Sequence, residues 1–185
     1  GTDVALLGLS LVTGYVQMPV SLPEELRGAS PEALIKYIVS RFHAGHREQL
    51  PVLIRLSRRV ELVHQGHAQC PQGLADELEA HLQEIESHML KEEQLLFPML
   101  ARGLNGPARG PISVMLFEHD QHINAVERIH RLTNDLILPA GACNTWRSLY
   151  EGLSAYAQEL EQHIRLENDV LFAQASQAVK GAQHA

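Results

Sequence analysis

Leu74, Leu78, His81, Ile85, His88, Glu92 and Leu95 follow one another in steps of 4-3-4-3-4-3, the stride of a helix face turned toward a core. Leu149, Leu153, Tyr156, Leu160, His163, Glu167 and Val170 repeat that stripe, each 75 positions later. A third stripe comprises Val39, His43, His46, Leu50 and Leu53. Its counterpart, Met115, His119, His122, Val126 and Ile129, follows 76 positions on. The pattern predicts four long helices, over 31–64, 74–100, 112–138 and 145–178. Ser30 serves as cap, Pro31 as first helical residue and Glu32 as an acid at the positive end of the first helix. Pro51 is expected to kink that helix. Gly- and Pro-bearing breaks at 65–73, 102–111 and 139–144 separate the four. Long helices with short connections predict an all-α fold, an antiparallel up-down four-helix bundle written as two copies of one helical hairpin. The bundle is expected over 31–180, with 1–30 as a short N-terminal appendage.

Composition narrows the classes. The chain has 185 residues, 45% of them hydrophobic and 20% charged, with a net charge of −7, so one domain with a real core is expected. No long basic run is present, which argues against nucleic acid as a partner. The stretch "DVALLGLSLVTGYVQMP" is too short for a membrane span and lacks a basic leader, so neither an anchor nor a signal peptide is expected. Two cysteines, Cys70 and Cys143, do not make a disulfide framework, which fits a reducing cytoplasm.

Histidine changes the picture. Seven of the 11 histidines, with two glutamates, fall on the inward stripes. A buried carboxylate is costly unless it is paired or binds a metal. His43, His88, Glu92, His119, His163 and Glu167 come from all four helices, and they are the expected metal ligands. Four imidazoles and two carboxylates exceed what a tetrahedral zinc takes. Two six-coordinate ions, sharing both carboxylates and a bridging oxygen, use them. A donor set of nitrogen and oxygen without thiolate suits iron, with zinc or manganese as substitutes. His46 and His122, one turn along, are possible further ligands or supports. His81 is read as a core residue, and Glu93 and Glu118 as solvated neighbours. His64 lies 21 residues after His43, about 30 Å along a helix, and reaches the centre only if the helix breaks near Pro51.

The strings "HMLKEEQLLFPM", "GPISVMLFEHD", "ACNTW" and "HIRLENDVLF" resemble those of the iron-sulfur cluster repair proteins (repair of iron centres), a branch of the hemerythrin-like di-iron bundles. The likeness covers about 31–175. It implies two non-haem iron ions on the same six residues, and it marks His64 as a family feature. Members commonly carry an N-terminal cysteine motif, and residues 1–30 have no cysteine. That departure shifts weight toward nitric oxide binding linked to denitrification.

The resemblance implies a cytoplasmic di-iron protein of the nitrosative and oxidative stress response. Its expected partners are damaged iron-sulfur proteins, with nitric oxide or O₂ as small ligand. A hemerythrin-type scavenger or sensor, and a di-iron nitric oxide reductase or peroxidase, need the same ligands and stay open, so whether the protein is an enzyme is left undecided.

Overall fold

A computed structural model describes residues 22–185, and readings that fall on 1–21 lie outside the described residues. The first rod is built from α1 (Pro31–Tyr37), a wide π-helical stretch (Ile38–His43) and α2 (Ala44–Val63). The second is α3 (Leu74–Lys91), a π-helical stretch (Glu92–Leu96) and α4 (Phe97–Ala101). The third is α5 (Arg109–Leu132). The fourth is α6 (Asn144–Leu166), a π-helical stretch (Glu167–Leu171) and α7 (Phe172–Gln183). The described residues form the all-helical bundle that the stripes predict. Ser30 caps α1, its hydroxyl accepting from the Ala33 amide at 3.2 Å. Pro51 sits inside α2, and the helix runs on past it to Val63.

Three boundaries differ from the prediction: the fourth rod runs to Gln183, five residues past 178, and both ends of the third are shifted. α5 begins at Arg109, inside the expected break, and ends at Leu132, six residues short of 138. Thr133 explains the early stop. Its hydroxyl donates to the Ile129 carbonyl at 2.8 Å and accepts from the Leu136 amide at 3.2 Å. Asn134, Asp135 and Leu136 then turn through positive φ, a conformation that a sequence without glycine there does not announce.

The π-helical stretches correct the stripes. A turn closed by an i→i+5 bond holds one extra residue. In the second rod the Phe97 amide donates to the Glu92 carbonyl, and in the fourth the Phe172 amide donates to the Glu167 carbonyl. Beyond each such turn the inward face slips by one position. Leu96 is buried where Leu95 was expected, and Leu95 is 55% exposed. Leu171 is buried in place of Val170, and in the first rod Ile38 is buried in place of Val39.

The core splits into two apolar zones. One gathers Leu50, Leu53, Leu78, Trp146, Leu149 and Leu153 near the 65–73 and 133–143 loops. The other gathers Leu34, Ile38, Phe42, Phe97, Met115 and Phe172 near the opposite end, with Leu22 and Leu26 from the segment before α1 packed into it. Between the two zones lies a layer of buried histidines and glutamates. Among the described residues, no helix is long and apolar enough to cross a membrane.

Candidate metal centre

Each of the four rods sends one histidine into that layer at a common depth: His43, His88, His119 and His163, each at most 1% exposed. Glu92 and Glu167, both fully buried, open the π-helical turns of the second and fourth rods. The turn matters locally. In an i→i+5 turn, residues five apart stack on one face, so Phe97 and Phe172 share the inward face of the glutamates. Phe97 lies over the His43 ring at 5.7 Å between centroids, and Phe172 over His119 at 6.1 Å.

The six side chains form two overlapping groups: His43, Glu92, His163 and Glu167; and His88, Glu92, His119 and Glu167. In each, one donor atom per residue lies within 4.8 Å of the others. Both carboxylates belong to both groups. His43 Nε2 is 3.1 Å from Glu92 Oε2, and His88 Nε2 is 3.0 Å from Glu92 Oε1. His119 Nε2 lies 3.5 Å from Glu167 Oε2, and His163 Nε2 contacts Glu167 Oε1.

Four carboxylate oxygens and the Nε2 atoms of His43 and His163 are buried with no hydrogen-bond partner. Orphaned acceptors of that kind cost free energy unless something positive sits among them. Burial lowers His43 and His88 to about 4, so their imidazoles are neutral and their lone pairs free. Burial and the facing Glu167 carboxylate push the Glu92 carboxyl well up. Burial would raise Glu167 too, but the adjoining His163, with Glu92 and His119 close by, pulls it down. Two close carboxylates of opposite tendency share one proton when no cation is present. This donor set, neutral imidazoles around two desolvated carboxylates, fits a pair of divalent metal ions.

Each of these four histidines is held from behind through Nδ1. His43 meets Glu93 at 3.2 Å, His88 meets Glu118 at 3.0 Å, His119 meets Asn168 at 2.7 Å and His163 meets His46 Nε2 at 3.0 Å. The expectation that Glu93 and Glu118 are merely solvated is therefore corrected. Arg47 clamps Glu93 with two hydrogen bonds, at 3.1 and 2.9 Å, and Lys91 reaches Glu118. Burial works against the charge on both acids. Hydrogen bonds from Arg47 and His43, and from Lys91 and His88, outweigh it and hold both below the usual carboxylate range. A sequence signal for these supports exists in hindsight. Glu93 and Asn168 each directly follow an inward glutamate, and Glu118 directly precedes His119.

The remaining histidines fall elsewhere. His46 and His122 belong to neither group. His46 props His163, and the His122 ring stands edge-on to His88 at 4.7 Å. Burial lowers both to about 2. His81 is a core residue, its Nε2 bonded to the Tyr156 hydroxyl. His64 ends α2 at the loop end of the bundle, its ring tilted against Trp146 at 4.7 Å with Nε2 3.2 Å from Cys143 Sγ.

A hemerythrin HHE cation-binding domain matches residues 35–175, over three quarters of the chain. The chain belongs to the hemerythrin HHE family. The cation-binding character of this hemerythrin domain accords with its buried layer. Among its relatives, iron-sulfur cluster repair protein YtfE of Pectobacterium atrosepticum is 50% identical over 142 residues, 77% of this chain and 64% of that protein. The protein of the same name in Musicola paradisiaca is 45% identical over 173 residues, 94% of this chain and 77% of its own. That of Yersinia pseudotuberculosis serotype IB is 50% identical over 142 residues, again 64% of its length. The chain thus spans a little under two thirds of two of these three relatives.

Proposed function

We propose that this hemerythrin domain holds two iron ions and serves in the repair of damaged iron-sulfur clusters. His43 and His163 would hold one ion and His88 and His119 the other, with Glu92 and Glu167 available to both. The observation that carries this reading is the sharing of both carboxylates by two His₂Glu₂ groups. Relatives up to 50% identical are named for cluster repair, which supports iron as the metal and iron-sulfur proteins as partners. Bound iron would supply an exchangeable cation and a redox-active centre that takes a diatomic ligand. The chain's own part is to keep the imidazoles neutral and aimed, to hold both acids deprotonated toward the ions, and to exclude bulk water with Phe42, Phe97 and Phe172.

Four protein donors per ion leave positions for a small ligand such as nitric oxide or O₂, and that count favours gas binding as the second reading. The absence of cysteine from residues 1–30 adds weight to this second reading, and either function would act in the cytoplasm. Iron content of protein from iron-supplied cells tests the first step, with two ions per chain expected and zinc or manganese measured alongside. Transfer from the reduced form to an apo-ferredoxin tests the second. Two tightly held ions that bind nitric oxide but never transfer would favour the scavenger.

A further inference from the structure

The two metal positions are not equivalent, and the asymmetry lies behind the histidines. In the duplicated hairpins Glu93 and Asn168 occupy matching places, each just after its glutamate and each against Nδ1 of an inward histidine of the neighbouring rod. One is a carboxylate, the other a neutral amide. Glu93 is fixed by both terminal nitrogens of Arg47, whose Nε is bonded in turn to both Glu86 oxygens at 3.1 and 3.0 Å. A two-pronged guanidinium pair of this kind holds its carboxylate in one orientation. Among the described residues no carboxylate stands behind His119, nor behind His163, whose Nδ1 meets His46 Nε2. Behind His88 stands Glu118, whose cation is the single, 45%-exposed ammonium of Lys91, a point charge on a flexible stem.

Aromatic cover is uneven in the same sense. Phe97 stacks on His43 and Phe42 on His163 at 5.3 Å with planes 5° apart. On the other side Phe172 covers His119, while among the described residues His88 has only the imidazoles of His119 and His122 as ring neighbours. The rods differ too: α2 packs along both α3 and α6, whereas α5, which carries His119, lies along α3 and meets α6 only briefly.

We infer that the ion held by His88 and His119 is the exchangeable one, and that the ion held by His43 and His163 stays behind as a structural anchor. A hydrogen-bonded carboxylate raises the basicity of a ligating imidazole and fixes its ring, and outer partners of this kind are worth about 10–100-fold in metal affinity. His43 has such a partner in a locked form. His88 has it in a looser form, and His119 and His163, backed by Asn168 and His46, both lack it, so the difference between the two positions lies in the locked Arg47 clamp against the flexible Lys91. The inference rests on the paired-iron reading above and names the cargo within it.

The test is iron release to a coloured ferrous chelator from fully loaded, reduced protein. Two phases of equal amplitude are expected, with a one-iron protein persisting between them. Asn168→Asp, which is nearly isosteric, places a carboxylate behind His119 and slows the fast phase about tenfold or more while leaving the slow phase alone. Glu93→Gln speeds the slow phase toward the fast one. Arg47→Lys gives a milder form of the same change and serves if Glu93→Gln folds poorly. Release of both ions in one phase, or a slow phase unmoved by both Glu93→Gln and Arg47→Lys, would overturn the assignment and leave the paired-iron reading standing. A chain that loads only one iron overturns both.

Discussion

The Tyr156 hydroxyl and His81 Nε2 share a hydrogen bond of 2.5 Å, and these two residues sit at matching places in the duplicated hairpins. Both are 1% exposed. Burial raises the phenol above its ordinary range, so it keeps its proton, and lowers the His81 imidazole to about 4, so it stays neutral. His81 Nδ1 already lacks a partner. Tyr156→Phe would leave the second nitrogen unpaired as well, at a cost of about 1–3 kcal/mol. Denaturant unfolding should show that loss. Iron content should not change, because neither residue belongs to the two donor groups.

Glu167→Gln should be far more damaging to metal binding than to the fold. The carboxylate belongs to both groups, and a neutral amide removes a charge from each ion. The metal-free protein, by contrast, is relieved of one of two facing buried acids. Elemental analysis should find iron lost from both positions. Thermal unfolding of the metal-free variant should match or exceed that of the metal-free parent. Retention of two irons would contradict shared ligation.

Much of this arrangement was legible in the chain, and the illegible part has one physical origin. The offset of 75 between His88–Glu92 and His163–Glu167 survives any helix geometry, because it is a property of the repeat. The inward assignment of Leu95, Val170 and Val39 assumed 3.6 residues per turn throughout, and a single i→i+5 turn moves the face by one residue without any change of composition. The supports Glu93, Glu118 and Asn168 were hidden for a related reason. Whether a residue beside a ligand reaches the next helix depends on the rotation of each rod about its axis, which a stripe fixes only coarsely. The early end of α5 turned on the hydroxyl of Thr133, one short-range competitor that helical periodicity does not register.

Metal-free protein should lose stability steeply on acidification. His81 has a folded value near 4 against 6.5 in the open chain, and burial moves it. Between those values the unfolded chain binds more protons than the folded one, so stability is complete above pH 6.5 and drains as pH falls to 4. His43 and His88, also near 4, act in the same direction. Denaturation midpoints measured from pH 8 to pH 4 should fall through this window, and His81→Phe should flatten part of the slope. Iron should sharpen the dependence, since protons and metal compete for the same imidazoles.

His64→Ala separates the ends of the bundle. Its ring lies on Trp146, and its Nε2 touches Cys143 Sγ, among the residues of the loop-end zone. The resemblance to cluster-repair proteins makes His64 a family feature, whereas its position removes it from both donor groups. Substitution should therefore leave two irons in place and the release phases unchanged. It should alter the emission of Trp146, the sole tryptophan, and cost about 1 kcal/mol through the lost packing. Loss of iron on this substitution would require coupling along the length of α2. The register of that helix, fixed at His46 and Leu50 by the layer and at Leu53 by its close approach to Gly152, would then be the place to look for it.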